Sequence, residues 1–164
     1  MSPDRPTLLA EPEIRRIGEG LLDCSLPKPD WTHAAHCVAC LYLMRRRPDI
    51  DLDLDLPGII WRYNVASGTP NVDDDGYHET ITRFYLRAAR AFLARLPEDL
   101  PLQVAIALFL DGRFGRRDFP LDFWTRDRLM SVEARRVWLA PDKAPLDFST
   151  IPIGDSGGPA LSGN

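Results

Sequence analysis

The sequence predicts an all-α fold: a helical bundle of three to four core helices with short helices and a disordered C-terminal tail. Three observations carry this. Apolar residues recur at three- and four-residue spacing over several long segments, the periodicity of helices that bury a face. Breaker-rich stretches such as SLPKPD and SGTPNVDDDG separate those segments. No alternating segment finds a partner strand.

Residues 9–22 place Ile14, Ile17, Leu21 and Leu22 at helical spacing despite Gly18 and Gly20. After SLPKPD, Thr32 is an N-cap candidate for a helix over 33–46, HAAHCVACLYLMRR, apolar on nearly every face and therefore buried. In PDIDLDLDLP (48–57) Asp and Leu alternate, which reads as an extended connector, with an edge strand as the alternative. A calcium loop would need a glycine turn and a closing glutamate, which this stretch lacks. Residues 57–66 follow as a short helix with Pro57 in its first turn.

The strongest helix covers 77–96, with one of Asp73, Asp74 and Asp75 expected to cap it. Its core stripe runs through His78, Ile81/Thr82, Tyr85, Ala88/Ala89, Phe92 and Leu96. LPLQVAIALFLD (100–111) reads as a buried helix, and a strand is its weaker alternative. GRFGRRDFP is a loop; two short helices follow, with Thr125 and Ser131 as caps. Beyond Pro141 apolar periodicity stops, so a single domain over 1–146 is followed by a flexible tail over 147–164.

The chain has 164 residues, 45% of them hydrophobic and 27% charged, proportions that suit one soluble domain with one core. A net charge of −4 argues against a nucleic-acid partner. The arginines at 45–47 and at 113, 116 and 117 read as a solvated helix end and a solvated loop. No segment has the apolar length of a membrane span, and the start lacks the pattern of a secretory signal. Three cysteines are not a disulfide framework. A cytoplasmic protein is the expectation.

All three histidines fall in two motifs, W-T-H-A-A-H (His33, His36) and Y-H-E-T (His78). If the two helices start at the same end of the bundle, three imidazoles can converge. Such a trio with an open position is the pattern of a catalytic divalent metal site, with zinc, iron or nickel as the ion. The same histidines could instead line a metal-free polar pocket, or serve as caps and buried hydrogen-bond partners.

Glu79, Thr82 and Asn64 are the candidate catalytic residues. Glu79 would be a general base or fourth ligand, although its helical phase and Arg83 four residues on favour a surface pair. Thr82, one turn beyond His78, would orient that imidazole, or bond back to its own helix. Asn64, if it faces inward, would fix a substrate carbonyl or carboxylate; otherwise it is a cap or turn residue. Cys37 and Cys40 each lie four residues after a histidine. A mixed metal site is conceivable there, and small buried apolar residues are the competing reading. Trp31 and Trp124 are the nearest pocket walls.

W-T-H-A-A-H-C, Y-H-E-T-I-T and P-L-D-F-W-T-R-D-R-L-M-S-V-E-A-R-R-V-W-L-A-P-D-K-A-P-L together resemble the pattern of a family of small helical bacterial proteins. The likeness spans residues 31–146. It implies that His33, His36, His78 and Glu79 belong to a shared pattern, and it brings no activity with it. Members commonly carry leucine where this chain has Cys37, which weakens a role for the thiol.

Two functions compete on these grounds: a small-molecule enzyme using a histidine-held divalent metal, and a metal-free small-molecule binding protein. In both the partner is a small-molecule ligand. A third, a structural partner protein, would need an exposed apolar stripe, with helix 100–110 as the candidate. The C-terminal GDSGGP, with Ser156, copies the serine-protease nucleophile motif, but the chain is short and reads as helical, and its only histidines are tied up in the two helix motifs. The string reads as a coincidence in a Gly/Ser tail.

Overall fold

The computed structural model describes residues 8–154, and those residues form an all-α bundle. Five longer helices build it: α1 (Glu11–Leu22), α2 (His33–Arg46), α3 (Leu52–Ala66), α4 (Glu79–Ala94) and α5 (Leu102–Asp111). Two short helices, α6 (Arg126–Leu129) and α7 (Val132–Arg136), cross the start of α4. No helix among the described residues is long and apolar enough to cross a membrane.

α2 is the central element, packed against α1, α4 and α5. It buries Ala35, Cys37, Val38, Ala39, Leu41, Tyr42 and Leu43, as expected of a helix without a polar face. Thr32 caps it by accepting from the Ala35 N–H at 3.2 Å. Gly18 permits close approach of α1: a Cβ there would sit 2.1 Å from the Tyr42 ring. The Tyr42 hydroxyl then donates to Glu19 across the same contact, at 2.8 Å.

α3 starts five residues before the position expected from the sequence. Asp51 caps it, accepting from the Asp53 and Leu54 N–H groups, and Asp53 and Asp55 favour its positive end. The Asp–Leu alternation therefore lies inside a helix, and no strand forms. Pro57 falls in the helix interior, where it leaves the Asp53 carbonyl without its usual donor. The Arg83 guanidinium of α4 fills the gap, donating to that carbonyl at 2.6 Å.

α5 is covered, with Leu102, Ala105, Ile106 and Phe109 buried, so it is not the exposed stripe that a partner protein would need. The core stripe of α4 buries His78, Ala88, Ala89 and Phe92 as expected, but Phe84, rather than Tyr85, lies fully inside. The Phe84 ring stands edge-on to Phe119 at 5.2 Å and to Trp124 at 5.5 Å. Phe148 packs into the same aromatic cluster, and Arg95 holds the Phe148 and Ile151 carbonyls at 2.9 and 2.6 Å. The fold thus continues through residues 147–154, which the sequence assigned to the tail. Ser156 and its GDSGGP context lie outside the described residues.

Candidate functional site

His78 is the N-cap of α4, a role expected of Asp73–Asp75. Its Nδ1 accepts from the Ile81 N–H at 3.2 Å, and its Nε2 lies 2.9 Å from the Leu129 carbonyl. A backbone N–H can only donate and a carbonyl can only accept, so these contacts fix a neutral imidazole protonated on Nε2. Burial pushes its pKa below the ordinary histidine value and Arg135 adds to this, against the raising effect of the Leu129 carbonyl.

Thr80 continues the junction. It is fully buried, donates to the Val137 carbonyl at 2.9 Å and accepts from the Leu139 N–H at 3.2 Å. The Trp124 indole donates to the Leu139 carbonyl at 3.0 Å, and Arg128 to that of Ala140 at 2.8 Å. Thr125 donates to Asp142 from both its N–H and its hydroxyl. The two motif-rich segments therefore clamp each other: Y-H-E-T holds 129–139, and the W-T-R-x-x-L segment holds 139–142.

The remaining candidates act in support. Glu79 pairs with Arg83 at 2.7 Å and accepts from the Tyr77 hydroxyl, so it orients the guanidinium that covers the Pro57 gap. Both His78 nitrogens are held by backbone groups rather than by Thr82; burial and the Glu79 carboxylate push the Tyr77 phenol up, and Thr82 opposes them. Asn64 is 5% exposed, and its amide donates to Asn71 at 2.9 Å. Asn71 in turn accepts from the Tyr77 N–H and donates to the Trp61 carbonyl. Asn64 thus ties α3 to the loop 71–77. Gly76 is required in that loop, since its φ is +82° and a Cβ would meet the Pro70 carbonyl oxygen at 2.3 Å.

His33 and His36 lie elsewhere. His33 Nε2 donates to the Gly115 carbonyl at 2.9 Å, and its ring stands edge-on to Tyr85 at 5.3 Å. Tyr85 is seven residues along α4 from His78, a separation of about 10 Å along the helix axis. His36 donates from Nδ1 to the Thr32 carbonyl at 2.6 Å and stacks on Trp31 at 3.8 Å. Desolvation lowers the pKa of both rings, against the raising effect of the Gly115 carbonyl on His33 and the Thr32 carbonyl on His36.

The three imidazoles do not form the expected ligand set. Among the described residues no group of three or more His, Cys, Asp or Glu side chains is placed to hold a metal ion. The residues fit zinc, iron or nickel poorly for a local reason: both His78 nitrogens already hold backbone partners. The Cys37 and Cys40 thiols are pushed up to about 12 by burial, which keeps them protonated and disfavours metal ligation.

The open site lies on the far side of the loop 71–77. A cleft of about 520 Å³ is bounded by Trp61 and Gly58 of α3, Asn71 and Tyr77 of the loop, and Arg135 and Arg136 of α7. Trp61 is 50% exposed. Arg136 grips Asp73 through Nε and Nη2 at 2.9 and 2.8 Å. Arg135 donates only to the Gly76 and Tyr77 carbonyls, at 3.1 and 3.3 Å, and forms no salt bridge among the described residues. A second cavity of about 380 Å³ has no aromatic wall. Its Arg47 and Arg90 are paired with Glu19, Asp49 and Asp53, and its Arg45 donates to the Glu98 carbonyl at 3.0 Å.

Trp61 and Arg135 are the site residues that sequence reasoning missed. With α3 begun at Leu52, Trp61 falls opposite the buried Leu56, Ile59 and Tyr63, which would have marked it as outward-facing. Nothing in the sequence singles out Arg135 from its arginine neighbour. No family model matches the chain, and neither the curated proteins nor the solved structures contain a match.

Proposed function

We propose that the protein binds a small organic anion carrying a planar group, in the cleft between α3, the loop 71–77 and α7. This is the metal-free binding reading, moved from the histidines to an arginine-aromatic cleft. The observation that supports it is the Arg135 guanidinium. It is half-buried, forms no salt bridge among the described residues, and lines the same cleft as the exposed Trp61. A carboxylate would complete the charge, since guanidinium pairs with it in a bidentate fork, and the indole would take the planar part.

Thermal stabilisation by indole-3-carboxylate and benzoate, against the uncharged indole and benzamide, tests this. Ligand binding to the folded state alone raises stability by about 2.7 kcal/mol at one hundred times Kd. The two carboxylates are expected to raise Tm, the neutral compounds are not, and Arg135→Gln and Trp61→Ala should each remove the effect. Equal shifts from the neutral analogues, or an undiminished carboxylate shift in Arg135→Gln, would refute the reading.

A further inference from the structure

The outer face of α3 is apolar beyond Trp61 and Gly58, which also line the cleft. Leu54, Trp61 and Val65 are 77%, 50% and 65% exposed. With Gly58 between them they follow a four-three-four spacing, which places all four positions within about 60° of arc. That is the spacing of a helix-pairing seam. It lies opposite the face that buries Leu52, Leu56, Ile59 and Tyr63. A Cβ at Gly58 would meet nothing within 4 Å, so space is open for a second backbone at the centre of the seam.

The charges say what covers it. Asp55 and Arg62 sit on the same flank of the seam, on either side of Gly58, and neither forms a salt bridge among the described residues. Arg62 makes one side-chain contact, to the Leu22 carbonyl at 3.2 Å. In an antiparallel helix pair related by a two-fold axis, each flank faces its own equivalent, with the order of residues reversed. A two-fold near Gly58 therefore sets Asp55 of each copy against Arg62 of the other, twice. It also sets Leu54 against Trp61 and opposes the two helix dipoles.

We infer that α3 pairs antiparallel with α3 of a second copy of this chain, crossing at Gly58. The pair would share Trp61 and Gly58 with the proposed cleft, so a second copy and the ligand would compete for that face; the test uses no ligand, and its failure leaves the ligand reading standing. Eleven residue steps make a seam only about 16 Å long, so the dimer belongs with small, weak interfaces.

Sedimentation velocity of the full chain from about 10 μM to about 1 mM is the measurement. The sedimentation coefficient should rise towards that of a species of twice 18.5 kDa. Asp55→Arg and Arg62→Asp should each weaken association by ~10-fold or more through like-charge contacts, and the double variant should restore it. Both positions are exposed, and far-UV circular dichroism melts check that each variant remains folded. As a second readout, amide exchange over residues 54–65 should slow as wild-type concentration rises. A monomer at every concentration overturns the inference and leaves the face to a different protein. Unaffected single variants, or a double variant as weak as the singles, overturn the pairing geometry and the inference with it.

Discussion

The start of α4 and the outer half of α3 share the loop 71–77, yet they treat their side chains in opposite ways. At the α4 start, His78, Glu79 and Thr80 all have reputations as catalytic or ligand groups. All are committed to neighbours: His78 to Ile81 and Leu129, Glu79 to Tyr77 and Arg83, Thr80 to Val137 and Leu139. On α3, Trp61 and Leu54 stay exposed, and across the loop Arg135 lacks an ionic partner among the described residues. Residue type thus points to the first region and unused binding capacity to the second. A buried polar group with every partner present stabilises a fold; an accessible one with partners missing is what a ligand can find.

The sharpest way to break this comparison is His78→Ala. It removes a cap, at about 1 kcal/mol, and leaves the buried Leu129 carbonyl without its donor, at about 2 kcal/mol more. A loss of about 3 kcal/mol in urea unfolding is expected, with the proposed ligand still binding wherever the variant is folded. Retained stability with lost binding would reverse the roles assigned here. The pH response follows from the lowered pKa. The folded state keeps His78 neutral while the unfolded chain takes up a proton near pH 6.5, so stability falls as pH drops below that value. His78→Asn keeps a capping side chain but not the titration, and should flatten part of the slope below about pH 6.5. His33 and His36, also lowered, contribute to the same slope.

The bundle was legible in the sequence because apolar spacing is a local signal, and α2 with its Thr32 cap follows it residue for residue. α3 was misread because Asp51, Asp53 and Asp55 alternate with leucines; an N-cap and two acidic residues in a first turn imitate the period of a strand. The segment 147–154 was missed because one phenylalanine, Phe148, and two carbonyls held by Arg95 anchor it without any periodicity. The site was less legible still. His78 meets a carbonyl 51 residues away and Thr80 one 57 away, and no local pattern announces such contacts.

Thr80→Val should have a smaller effect than His78→Ala, and it isolates the clamp from the cap. The two side chains have similar shape, so the cost lies in the hydroxyl alone. Its loss strands the Val137 carbonyl and the Leu139 N–H beside a fully buried side chain. About 1 kcal/mol is expected, the usual net worth of a hydrogen bond whose backbone partners are only partly buried, read as a shift in the urea midpoint at constant slope. A cost under about 0.5 kcal/mol would mean that 137–139 is held by Trp124 and Arg128 instead. The closed junction would then extend no further than the cap.

The smallest expected change carries the opposite sign. Gly58 lies inside α3, exposed, with nothing within 4 Å of a Cβ built there. Alanine lowers the backbone entropy of the unfolded chain and suits a helix better, so Gly58→Ala should stabilise the monomer by about 0.5–1 kcal/mol. The monomer's own packing therefore gives no reason for glycine at this position. The antiparallel pair does, because the added methyl would stand at the crossing point of two backbones. Raised thermal stability in dilute solution, together with weaker self-association at high concentration, is the combined result expected. Stabilisation with unchanged association would place the crossing elsewhere on α3, whereas destabilisation would show that the outer face is covered by this chain itself and is not open.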